Sequence, residues 1–126
     1  MKNIKLFMLP AAAAILLSFS ACYNDKADIL YPQQACKLDT ITFSNTIQPI
    51  VNAKCAITSC HDAASAEAGY DLSSYSGVAQ AVTDGSLLPS LNHESGYSPM
   101  PKNADKLPTC NISQITRWVS EGSNDN

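Results

Sequence analysis

The stretch that most limits the fold is "SLLPSLNHESGYSPMPKNADKLP", residues 86–108. Pro89, Gly96, Pro99, Pro101 and Pro108 break it at intervals too short for a long helix or strand. Proline lacks the N–H that regular elements share, and its ring collides with the preceding turn. Whatever folds here must be built from short elements on either side of an extended connection. A helical turn between Leu87 and Asn92 is expected to be marginal.

Short helices are what the flanks offer. In "FSNTIQPIVNAKC", Ile47, Ile50 and Val51 share one face by i, i+3, i+4 spacing, Asn45 or Thr46 can cap, and Pro49 falls in the first turn. That helix should stop near Cys55. "YSGVAQAVTDG" predicts about two turns from Ser76 to Thr83, closed by Gly85. The last helix carries Ile112, Ile115, Trp118 and Val119 on one side, with Thr109 or Asn111 as cap and Gly122 as its end. Residues 62–74 are small and polar, which is loop chemistry, and "SNDN" at 123–126 reads as a frayed polar tail. With no strand alternation and no internal repeat, the expected class is all-α: three to four short helices with long loops.

The first 21 residues read as a secretory signal and not as fold. Lys2 and Lys5 precede an apolar run from Leu6 to Leu17, too short to span a bilayer, and "SFSA" supplies small residues before Cys22. "LLSFSAC" resembles a bacterial lipobox, with Phe19 where an aliphatic residue is usual. Cys22 is therefore expected to be the lipidated first residue of the mature protein; the alternative is an ordinary signal peptide followed by an incidental thiol. Residues 22–40 are read as lipidated N-terminus and linker, 41–122 as the domain. Taking Lys2 and Lys5 from the 8 basic residues leaves 6 against 11 acidic ones, about −5. Nucleic-acid binding, which calls for a basic stripe, is not expected.

A domain of roughly ninety residues has a small core and gains from a disulfide, a metal or a cofactor. "KCAITSCHD", residues 54–62, is where such help is to be sought. A disulfide between Cys55 and Cys60 suits an oxidising compartment but leaves His61 unused. Zinc needs four ligands pointing at one ion, and the adjacent side chains of Cys60 and His61 diverge. Covalent haem uses all three: two thiols add across the porphyrin vinyl groups, and the following imidazole binds the iron. The usual spacer between the cysteines has two residues; here "AITS" has four, so the extra pair must bulge outward. These nine residues leave haem and disulfide both open.

Taken with the rest of the chain, "FSNTIQPIVNAKC…CHD", "YDLSSYSGV", "SLLPSLNHESGYSPMP" and "KLPTCNISQITRWVSEG" resemble the single-haem c-type cytochrome domains of Gram-negative bacterial lipoproteins. The resemblance covers residues 41 to 122. It implies a cytochrome c-like fold around one covalent haem c, attached at Cys55 and Cys60, with His61 and Met100 as axial ligands of the iron. Met100 matches the family's distal methionine, and the flanking Pro99 and Pro101 stiffen its loop. His93 is the rival ligand, read instead as a loop residue bonding a propionate or the backbone. In that fold the first and last helices cross, so Cys36 and Cys110 are expected to form a disulfide; two unpaired thiols are the alternative. Trp118 is expected in the core. Tyr70, Tyr75 and Tyr97 could reach propionates, with nothing to single one out.

The reading is a membrane-anchored electron carrier, not an enzyme, facing the periplasm or on the outer membrane, with redox proteins as partners. Its rival is a haem-free lipoprotein binding module held by Cys55–Cys60 and Cys36–Cys110 disulfides. An open-haem, peroxidase-like enzyme is the third.

Overall fold

The computed structural model describes residues 36–126, which form one unit. The signal segment 1–21, Cys22 and the linker to residue 35 lie outside the described residues. Four α-helices follow: α1 (Gln48–Lys54), α2 (Tyr75–Thr83), α3 (Leu87–Asn92) and α4 (Thr109–Ser120). A π-helical turn, Phe43–Ile47, runs straight into α1, and a 3-10 turn, Glu67–Gly69, lies in the loop before α2. The described residues contain no strand, so the fold is all-α, and no helix among them is long and apolar enough to cross a membrane.

The first helical segment starts earlier than its sequence suggests. Thr42, extended at φ −120°, is its cap, and the Thr42 hydroxyl accepts the Asn45 N–H at 3.2 Å. Asn45 and Thr46 are already inside the turn. The Gln48 N–H bonds back to the Phe43 carbonyl, which widens the turn just ahead of Pro49. A straight α-helix would set the Pro49 ring against the Asn45 carbonyl, and the wide turn lies where that conflict would fall.

Two more N–H groups at this helix start find their acceptors at the far end of the chain. Asn126 takes the Phe43 N–H on its side-chain oxygen at 2.8 Å and the Ser44 N–H on its carbonyl at 2.9 Å. The tail is therefore tied down and not frayed. Tyr75 donates its hydroxyl to the Ser123 carbonyl, and the Trp118 indole N–H reaches the Asn124 carbonyl, both at 2.9 Å. Composition alone reads "SNDN" as solvated because Phe43, Ser44 and Tyr75 are distant in sequence and only Trp118 is near.

Trp118, 1 % exposed, sits where α4 packs against the π-helical turn. Its ring lies 5.6 Å from Phe43 and 6.5 Å from Tyr75, and Phe43 and Tyr75 meet edge-on at 5.1 Å. Ile47, Val51, Ile112 and Ile115 complete this side of the core; Val78 and Ala81 of α2 and Leu91 of α3 extend it. α3 packs on both α2 and α4. It forms despite Pro89 because that residue falls in the first turn, where no N–H partner is needed, and burial of Leu91 anchors the short helix.

Two boundaries differ by a residue or two from expectation. α2 begins at Tyr75, one residue before Ser76, with the Ser74 hydroxyl accepting the Gly77 N–H at 3.3 Å. α4 is preceded by Pro108 in the cap position, so Thr109 and Asn111 are both helical and neither caps. In the first turn of α4, Cys110 is bonded to Cys36, with Cα atoms 5.3 Å apart across a sequence separation of 74. That link ties the chain's entry into the domain to its last helix.

Candidate functional site

α1 ends at Cys55, whose N–H bonds the Val51 carbonyl at 2.7 Å, and the chain then turns back on itself. Ser59 takes a left-handed conformation, φ 66°, and the Cys60 N–H bonds the Ile57 carbonyl at 3.0 Å. The spacer residues Ile57, Thr58 and Ser59 are exposed, and the His61 N–H reaches the Cys55 carbonyl at 3.2 Å. A two-residue spacer would put the histidine four residues after the first cysteine, where a helix pairs that N–H with that carbonyl. Here the same pairing closes across six residues because the surplus loops out. The longer spacer thus keeps the hydrogen bond from the His61 N–H to the Cys55 carbonyl, with Cys55 itself at φ −127° outside the helical region.

Both thiols are half-buried and unbonded. Burial pushes the Cys55 thiol from its ordinary value of 9.0 up to about 11, and the neighbouring Cys60 sulfur adds to the effect. Cys55 is accordingly a neutral thiol at physiological pH, not a reactive thiolate.

His61 is held from the following loop. Its Nδ1 lies 3.2 Å from the Tyr70 carbonyl oxygen. A carbonyl can only accept, so Nδ1 carries the proton and Nε2 is left with its lone pair. Nε2 makes no hydrogen bond among the described residues, and the ring is half-buried. This is the arrangement by which a protein presents an imidazole nitrogen to a metal, with the other nitrogen pinned to fix tautomer and direction.

The pin is itself anchored. The Tyr70 hydroxyl donates to the Asp84 carboxylate at 3.0 Å, just past the end of α2, and the Leu72 N–H bonds the His61 carbonyl at 2.8 Å. Gly77 allows α2 to lie against this loop: a Cβ there would come within 1.7 Å of the Asp71 carbonyl oxygen. Beyond His61, the Ser65 hydroxyl and then its N–H hold the Asp62 carboxyl below its ordinary range and close the next turn, with Ser65 N–H to Asp62 at 2.9 Å. Ala66 and Ala68 also take left-handed conformations, so three non-glycine residues between Cys55 and Tyr70 carry backbone strain.

Met100 stands apart from this loop. Its N–H bonds the Ser90 carbonyl at 3.0 Å and its own carbonyl faces His93 Nε2 at 3.0 Å. It is half-buried, and its hydrogen bonds go to α3 and the residue ending it, none to the Cys55–His61 loop. Tyr70 and Tyr75 spend their hydroxyls on Asp84 and Ser123, while Tyr97 is exposed. Two open grooves, of 520 and 350 Å³, lie along α4 and between α2, α3 and α4; neither includes Cys55, Cys60, His61 or Met100. Among the described residues no three His, Cys, Asp or Glu side chains converge on a bare ion. A porphyrin asks less of the protein, since four of the iron's ligands are its own nitrogens.

The residues present fit a covalently attached haem in their donor chemistry: two unbonded thiols and one pinned imidazole with a free nitrogen, joined by a single looped segment. Sequence reasoning named Tyr70 only for its hydroxyl and not for the carbonyl that pins His61, and it missed Asp84 and Gly77, whose parts in the site depend on how the loop folds back. Compared with family models, curated proteins and solved structures, the chain matches none.

Proposed function

We propose that this chain is a monohaem c-type cytochrome that carries single electrons while anchored to a membrane through Cys22. The observation that carries the reading is the geometry of residues 55–61, with both thiols unbonded, the spacer looped out and His61 Nε2 unpartnered beyond the Nδ1 pin. Cys55 and Cys60 would supply the thiols; each S–H adds across a vinyl double bond, sulfur to one carbon and hydrogen to the other, with no net oxidation. His61 would offer Nε2 to the iron and Met100 its thioether, within a cytochrome c-like fold. When bound, the haem supplies a one-electron ferrous/ferric couple. With both axial positions taken by protein, transfer to redox partner proteins is the role, not substrate turnover, and the lipid anchor places it facing the periplasm or on the outer membrane.

The test is export of the full chain through a haem-attaching periplasm. The purified protein should be red and keep its chromophore after denaturation and acid extraction, and Cys55→Ser with Cys60→Ser should abolish that attachment. A colourless, folded protein with a Cys55–Cys60 disulfide would overturn the reading in favour of the haem-free module.

A further inference from the structure

His93 stands at a position usually given to glycine. α3 ends in paired reverse bonds, His93 N–H to the Ser90 carbonyl at 3.2 Å and Glu94 N–H to the Pro89 carbonyl at 2.9 Å, with His93 itself left-handed at φ 58°, ψ 41°. A side chain there carries a steric cost that glycine avoids. The imidazole is exposed, so burial does not offset that cost. What the side chain does is reach the Met100 carbonyl with Nε2 at 3.0 Å. The carbonyl can only accept, so Nε2 carries the proton.

Met100 is thereby held at two points by one helix end. Its N–H goes to the Ser90 carbonyl and its C=O receives the ring Nε2–H of His93, so both of its backbone polar groups are fixed to the end of α3. A backbone clamped on both sides of one Cα confines the direction of its side chain.

We infer that His93 is a positioning residue for Met100: its Nε2–H holds the Met100 carbonyl and so keeps the thioether sulfur where the iron can bind it. This rests on Met100 being the distal ligand as proposed above. His93 touches neither iron nor substrate in this role. It raises the occupancy of the sulfur–iron bond by keeping Met100 close to its binding position.

The experiment uses the exported holoprotein and three variants. His93→Gly relieves the left-handed strain and removes the donor; His93→Gln restores an N–H of similar reach; Met100→Ala removes the proposed ligand. Imidazole and azide are titrated into the ferric proteins, with the far-red band of methionine-ligated haem as readout, alongside thermal unfolding and hydrogen exchange of the Met100 amide. His93→Gly should unfold no earlier than the native protein, yet bind imidazole and azide about three- to tenfold more tightly, as loss of one hydrogen bond implies, and exchange its Met100 amide faster. His93→Gln should recover part of the native affinity. A merely structural role predicts an unchanged titration in His93→Gly, and that result would overturn the inference while Met100→Ala still loses the band. If the band is missing from the native protein, or survives Met100→Ala, the ligand assignment itself fails and the inference with it.

Discussion

Gly77→Ala sets two effects of opposite sign against each other. Position 77 is inside α2, where alanine in place of glycine ordinarily stabilises a helix by about 0.5–1 kcal/mol. The structure opposes that gain. The added Cβ would fall 1.7 Å from the Asp71 carbonyl oxygen and 2.6 Å from its carbon, where ordinary contact begins at 3.4 Å. Both partners are backbone, so the loop and the helix must part by roughly 1.5 Å, an overpacking cost at or above the upper end of about 1–3 kcal/mol. Set against the propensity gain, the net loss is about 2 kcal/mol. A domain of about ninety residues has roughly 5–13 kcal/mol in all, and at about 4–8 °C per kcal/mol the melting temperature should fall by some 8–16 °C. Thermal and urea unfolding followed by far-ultraviolet circular dichroism measure it, with exposed Gln80→Ala on the same helix staying within about 0.5 kcal/mol. Because Leu72 bonds the His61 carbonyl, the His61 ring resonances should shift in Gly77→Ala as well. A variant as stable as the native protein, or more so, would refute the close approach of α2 to Asp71.

Reduction of the Cys36–Cys110 bond, or Cys36→Ser with Cys110→Ser, should cost up to about 4 kcal/mol by the chain entropy of its long loop, read as a lower urea midpoint. Tyr70→Phe and Asp84→Asn should each lower stability by about 1 kcal/mol or less, since their bond is exposed, and should loosen His61; a double-mutant cycle showing no coupling would separate them. In haem-free protein that keeps this fold, the raised Cys55 pKa means the native state holds a proton that the unfolded thiol gives up. Stability is then fully present below pH 9 and falls as pH rises towards 11, and alkylation of Cys55 by iodoacetamide should stay slow until the same window.

Periodicity and punctuation made much of this architecture legible. Ile47, Ile50 and Val51, and Ile112, Ile115 and Trp118, recur at helical spacing because a helix must turn one face to the core, and that requirement is local. The prolines and Gly96 of residues 86–108 likewise act on their own neighbours. The order Cys-x4-Cys-His could also be read directly, since it is a matter of adjacent residues. What sequence could not decide were contacts made across turns and between elements, one spanning the whole domain and others fewer than ten residues. Asn126 completes the start of the first helical segment, and Thr42 caps it in place of Asn45 because the wide turn ahead of Pro49 moves the boundary. The carbonyl that orients His61 belongs to Tyr70, which any residue type could provide, so no side-chain pattern marks it. Gly77 matters only because α2 lies against Asp71, and His93 reaches Met100 only because α3 ends in a left-handed turn that aims its ring there. Backbone acceptors and close approaches have no residue signature; they exist only once the helices have packed.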